Sequence, residues 1–243
     1  MVGTDLAHDP DMASEGEVSG LKLGLTAVYL LVWPALIFLL AGDWRWLEGW
    51  LFAAWFLSLC GVCVGWLYLE DPALLAERYR KPGSGGQQGW DQYVVFALAA
   101  AFMAWIVLMP LDARRFHWTP RLPLWLEGIG GVLMLLSAFF LFRSFTDNTF
   151  LSPLVRIQPE RKQAVVSTGV YGFIRHPMYL GAVLMFVGVP LLLGSAIGLG
   201  IGLAVCALLA VRIRGEEKML VRELEGYAEY RKKVRFRLIP GVW

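Results

Sequence analysis

Two stretches far apart in the chain carry the side chains able to do chemistry. In STGVYGFIRHPMYLG, Ser167 to Gly181, Arg175 and His176 stand directly before Pro177 and a long apolar run. In VRIRGEEKML, Val211 to Leu220, that run ends in Arg212, Arg214, Glu216 and Glu217. A charge at the mouth of such a run is costly unless it is paired or used. Proline suits a first helical position, so His176 is expected to cap the helix that Pro177 begins. A helix start with free N–H groups, a histidine and an arginine suits a carboxylate or phosphate. Two adjacent glutamates suit hydroxyls or an ammonium group. Brought together, the stretches would present both signs to a zwitterionic ligand. The plainer reading is that interfacial charges merely pair with one another. For the set it is weakened by the fixed order of Tyr171, Arg175, His176, Pro177 and Tyr179.

The two stretches meet only if the chain between them turns back. From Pro177 to Val211 there is no charged side chain. As one helix this run would measure roughly 50 Å, against a hydrocarbon core of about 30 Å. The expected break is PLLLGSAIG, Pro190 to Gly198, where proline and glycine weaken a helix. A hairpin over 177–213 then returns Arg212, Glu216 and Glu217 to the membrane face where His176 lies. Leu23 to Ala41, Gly49 to Leu69, Tyr93 to Leu111 and Leu122 to Phe142 are four further runs of bilayer-spanning length. Glu127 interrupts the fourth near its start and is expected to snorkel to the interface. Charged residues make up 17% of the chain, against about 25% in a soluble domain. The net charge of +2 gives no support for a nucleic-acid partner. The expected fold is an all-α integral membrane protein of about six transmembrane helices. The last two form a tight hairpin, and a cytoplasmic C-terminal helical segment follows.

Three regions result: a disordered polar tail over 1–20, spans 1–4 over 21–143, and the chemistry-bearing loop, hairpin and C-terminal segment over 144–243. The tail lacks the basic start and apolar core of a signal peptide. Basic residues set the orientation. Arg78, Arg80 and Lys81 follow span 2; Arg143, Arg156, Arg161, Lys162 and Arg175 follow span 4. Both termini and the site are therefore expected on the cytoplasmic side, with Arg114, Arg115 and Arg121 outvoted. Trp44, Trp46 and Trp50 read as an interfacial belt. Cys60 and Cys63 lie one turn apart within span 2, without a second pair or a nearby histidine. They read as packing residues, as does Cys206, and no metal site is expected. The glycines from Gly198 to Gly202 signify close helix packing.

The quoted stretches, with YAEYRKKVRFRLIP after them, resemble the isoprenylcysteine carboxyl methyltransferase family and its phospholipid methyltransferase relatives. The resemblance covers roughly Asn148 to Pro240, and DPALLAERY and WDQY upstream are similar to bacterial members. It implies an S-adenosylmethionine-dependent methyltransferase in a bacterial inner membrane, acting on a lipophilic or lipidated acceptor. His176, Arg175 and the backbone around Val170 and Tyr171 would hold the methionine end of the cofactor. Tyr179, Leu180 and Gly181 would line its pocket, and Glu216 and Glu217 would anchor its ribose or amino end. Gln158 matches a glutamine of the family's loop. Arg212 matches the arginine before the glutamate pair and would engage an anionic substrate group, which with His176 makes it a candidate catalytic residue. An acceptor carboxylate arrives ionised, whereas a thiol or amine must lose a proton, for which His176 is the available base. Gln163 stands where eukaryotic members have histidine, and LEGY, Leu224 to Tyr227, shifts a glycine. Both departures bear on the acceptor, which stays open among prenylcysteine, lipid amine, thiol and isoprenoid acid. Sterol reductases of related architecture carry R-H-P-N-Y-x-G-E and bind NADPH; Met178 and Ala182 remove the polar groups expected to grip that cofactor. A non-catalytic membrane protein on the same scaffold is the other alternative.

Overall fold

The computed structural model describes residues 19–243, so all but the end of the expected polar tail lies outside the described residues. Helices α1 (Gly20–Ala41), α2 (Leu47–Glu70), α3 (Pro72–Arg78), α4 (Gly89–Pro110) and α5 (Leu124–Asp147) come first. A π-helical turn, Leu111–Arg115, extends α4. Helices α6 (Pro177–Leu193), α7 (Ala196–Glu223) and α8 (Tyr227–Lys233) complete the chain, and no strand occurs among the described residues. The helix α1 begins inside the expected tail because the Ser19 side chain accepts a hydrogen bond from Lys22 N and caps it.

Five helices are long and apolar enough to cross a membrane: α1, α2, α4 with its π turn, α5 and α7. Their outer faces carry exposed Leu25, Val32, Leu39, Phe96, Leu135 and Phe139, a surface suited to hydrocarbon. With 17 residues α6 is the short one. At 1.5 Å per residue it reaches about 25 Å, less than the hydrocarbon core. Its last six residues, Gly188 to Leu193, are all buried within the bundle. This is an integral membrane protein built of helices.

Small residues let α5 and α6 come together. A Cβ on Gly188 would lie 2.9 Å from the Gly130 carbonyl oxygen, and one on Gly181 would lie 2.8 Å from Leu141. The Ser137 hydroxyl donates to the Gly181 carbonyl across the same seam, at 2.7 Å. Such backbone-to-backbone approach replaces the hydrophobic drive that lipid does not supply. Gly202 does the same against the Phe186 carbonyl, and Gly198 makes room for the Met109 side chain.

The hairpin turns where its proline and glycine suggested. Gly194 takes a left-handed conformation (φ 78°) that ends α6. Ser195 then caps α7 through Gly198 N and donates its hydroxyl to Asp112 at 2.6 Å. Asp112, fully buried in the π turn, also accepts from Thr119 and Ile197 N, pinning the turn to the loop after α4.

Two expectations are corrected. The hairpin does not stop at 213: α7 continues to Glu223, because Ile213, Glu217 and Leu220 fall on one buried face of the same helix. Trp46 is not in an interfacial belt. It is 3% exposed and packs on Gly49, while Trp44 and Trp50 are exposed.

Replacing Gly188 by valine should lower the thermal unfolding temperature of the detergent-solubilised protein, by the equivalent of about 1–3 kcal/mol of overpacking. Gly131→Ala, whose Cβ meets nothing within 4 Å, should leave that temperature unchanged.

Candidate functional site

At the membrane face where α6 starts and α7 ends, three buried carboxylates each hold arginine from a distant segment. Glu217 is the most connected. Its carboxylate accepts from Arg175 Nε at 2.6 Å and Arg237 Nε at 2.8 Å, with His176 Nε2 at 3.2 Å. Arg175 also donates to the carbonyls of Val234 and Arg235, both at 2.7 Å. The C-terminal segment is fixed further by the backbone bonds Arg175 N to Phe236 O and His176 N to Arg237 O.

Asp91, in the first turn of α4, accepts from Arg212 Nε at 2.7 Å, Val155 N at 2.9 Å and Gln87 at 2.7 Å. Arg212 donates as well to the Pro153 carbonyl at 2.7 Å. Glu77, on α3, accepts from the Ser152 hydroxyl at 2.6 Å, Arg156 at 3.0 and 3.1 Å, and Arg80 at 2.6 Å. Burial would raise its carboxyl pKa, but the donors from Arg156, Ser152 and Arg80 prevail and hold it below the ordinary 4.5. The two clamps shape the 150–156 loop over the helix ends.

Between the clamps lies a cavity of about 300 Å³. Its deeper wall, Met178, Ala182 and Leu209, is apolar and follows the hairpin into the bundle; Leu224, Tyr227 and Tyr230 close the outer end. The hydroxyls of Tyr171 and Tyr227 are buried with no hydrogen-bond partner among the described residues. Burial raises both phenols well above the ordinary tyrosine range, so they remain protonated donors. Glu216 faces the same space, and among the described residues its carboxylate accepts only from the Tyr179 hydroxyl, at 2.6 Å. Unspent donors and an anion beside an apolar wall can receive a ligand with charged or polar groups at one end and an apolar remainder.

The structure brings Tyr171, Arg175, His176, Tyr179, Arg212 and Glu216 to the cavity wall. Gln158, Val170, Leu180, Gly181 and Glu217 lie behind it. Gln158 braces the loop by donating to Phe150 O and accepting from Arg161. Val170 N donates to Asp147, and Leu180 packs with Ile174, Ile213 and Leu238. Gly181 serves the seam with α5, and Glu217 is spent on Arg175, His176 and Arg237. His176 occupies the cap position of α6 but makes no side-chain cap, because its ring turns to Glu217. Sequence reasoning named none of Arg78, Glu77, Asp91 and Tyr227 as a site residue. The first three lie in DPALLAERY and WDQY, and only their company with Arg156 and Arg212 in space gives them meaning.

The phospholipid methyltransferase family model matches residues 126–226. Protein-S-isoprenylcysteine O-methyltransferase of Saccharomyces cerevisiae is 39% identical over 85 residues, and that of Schizosaccharomyces pombe 33% over 85. Each alignment covers 34% of this chain and 36% of the relative, about a third of its length. The solved structure of the eukaryotic intramembrane Ras methyltransferase ICMT (isoprenylcysteine carboxyl methyltransferase) superposes with a TM-score of 0.52. It does so at 19% identity, over 88% of this chain and 74% of that one, and so shares the fold.

Removing one member of a buried pair leaves the other uncompensated, at about 3–5 kcal/mol. Asp91→Ala should therefore strongly destabilise the protein in thermal unfolding, and Asp91→Leu combined with Arg212→Met should recover most of the loss. Because the folded-state pKa of Glu77 is depressed, its contribution is present above the unfolded value near 4.5 and is lost as pH falls through the lower folded value. Stability measured against pH should fall less steeply on the acid side in Glu77→Gln than in the unaltered protein.

Proposed function

We propose that this chain, similar over residues 126–226 to the phospholipid methyltransferase family and over 85 residues to the yeast isoprenylcysteine methyltransferases, methylates a lipophilic acceptor from S-adenosylmethionine. The acceptor class closest to its relatives is the carboxylate of an isoprenylated cysteine. The single observation that carries the reading is the cavity itself. It joins an unspent carboxylate, two unpartnered phenols and a cationic rim to an apolar wall formed by the hairpin.

The donor set fits a zwitterionic sulfonium cofactor. Glu216 would face a cationic centre, the Tyr171 and Tyr227 hydroxyls would donate to carboxylate or hydroxyl oxygens, and Arg175 would lend positive potential to the same end. When bound, S-adenosylmethionine supplies an electrophilic methyl group on a positively charged sulfur. The protein's part is to orient and to exclude water, which is where much of the rate of a displacement resides. Arg212, locked by Asp91 and the Pro153 carbonyl, would act by field and position, since its donors are largely committed. A carboxylate acceptor needs no general base. Met178 and Ala182 keep the deeper wall apolar, which favours a hydrocarbon tail over a second polar cofactor such as NADPH. By the excess of arginine and lysine around it, the site would face the cytoplasm.

Calorimetric titration of the detergent-purified protein with S-adenosylhomocysteine, with NADPH in parallel, tests the proposal. Micromolar binding of the former alone is expected. Glu216→Gln should weaken it about tenfold, the effect of one hydrogen bond to a charged group. Binding of NADPH in place of S-adenosylhomocysteine would turn the assignment toward a reductase.

A further inference from the structure

Resting on that reading, we propose that Arg78 is the residue that receives the negatively charged group of the acceptor, a carboxylate, and so sets which acceptors the site takes. Arg78 ends α3 and lines the cavity wall together with Phe150, Leu151 and Arg212. Every other guanidinium on that wall is spent: Arg156 on Glu77 and Glu160, Arg175 on Glu217, Arg212 on Asp91. Arg78 has neither hydrogen bond nor ion pair among the described residues. Its guanidinium rests over the Phe145 ring, 5.3 Å from the centroid. Glu77, its neighbour in sequence, turns the other way to Ser152, Arg156 and Arg80. Burial, and then the charge of Arg212, push the Arg78 pKa down to about 10. A half-buried cation on a cavity wall, with no ion-pair partner within contact distance, is an arrangement that an anionic ligand improves.

The position of Arg78 in the chain assigns it to the acceptor. It lies outside residues 126–226, the segment matched by the phospholipid methyltransferase family. The groups that would hold the methyl donor belong to that segment, with Tyr227 one residue beyond its end. An acceptor-reading residue is expected where the families part. The chemistry also disposes of the product. Esterification of a carboxylate removes its charge and releases no proton, so Arg78 attracts the acid and loses its hold on the ester. Since the acceptor's charge is already falling in the transition state, Arg78 acts on binding more than on the chemical step.

Detergent-purified protein is titrated with N-acetyl-S-farnesyl-L-cysteine and with its carboxamide, with and without saturating S-adenosylhomocysteine. The acid should bind at least about tenfold more tightly than the amide, as a charge-assisted contact implies. Arg78→Met should abolish that difference and raise KM with little change in kcat, while affinity for S-adenosylhomocysteine is unchanged. Arg78→Lys should restore part of the discrimination. Neither variant leaves another group unpaired, so both are expected to fold, with thermal unfolding as the check. Equal binding of acid and amide, no binding of the acid, or unaltered discrimination in Arg78→Met would overturn the proposal. Loss of S-adenosylhomocysteine binding in Arg78→Met would overturn it too, by moving the arginine to the donor end. If the unaltered protein bound no S-adenosylhomocysteine, the methyltransferase reading alone would fall, and the acid–amide comparison made without it would still decide on Arg78.

Discussion

The carboxylate of Glu217 is the constraint on which the rest of the site depends. It sits 3% exposed near the end of α7, in surroundings where a lone charge could not persist. Three side chains satisfy it, from two places: Arg175 and His176 before α6, and Arg237 from the C-terminal segment. This one side chain therefore fixes how the hairpin's two arms are registered and how the tail folds back across their ends. Tyr230 adds to the closure by donating its hydroxyl to the Tyr171 carbonyl at 2.7 Å.

Asp91 and Glu77 repeat the device at two other edges of the cavity. Each ties an element of the N-terminal half to the loop that follows α5, so the loop has a single arrangement although it holds little regular structure. Buried ion pairs of this kind contribute little net stability over apolar packing, but they penalise any rearrangement that separates them. Shape is what they provide here. The charges left over once the clamps are counted, Glu216 and Arg78, are of opposite sign and both face the cavity. On the proposed reading, structural and functional charge are distinguished by whether a partner exists within the protein.

The membrane part serves the same end by a different physics. Without a hydrophobic drive between helices in lipid, α5 and α6 are joined through glycines and one hydroxyl-to-carbonyl bond. That close seam lets a helix as short as α6 lie within the bundle, holding Met178, Tyr179 and Ala182 where they line the cavity. Gly226, at φ 79°, similarly turns the chain into α8 and brings Tyr227 to the outer end of the cavity. The shifted glycine of LEGY thus has a conformational cause.

Much was determined by the sequence alone. Charge-free runs of bilayer length required membrane helices, a run too long to cross once required a hairpin, and Pro190 with Gly194 located its turn. The Arg–His–Pro order and the glutamate pair marked the two ends that had to meet. The N-terminal boundary of α1 and the burial of Trp46 were not legible, because capping and packing depend on neighbours rather than on composition. Nor was the division of labour within the motifs. Glu216 and Glu217 are adjacent and chemically identical, yet 100° of helical rotation sends one to the cavity and the other to the core. Arg78 and Arg156 are alike as residues, and only the fold decides that Arg156 meets Glu77 while Arg78 rests over Phe145 with no ion-pair partner among the described residues. A residue type states which interactions are possible; which of them are already satisfied is a property of the packed structure, since each partner comes from a segment that local sequence does not contain.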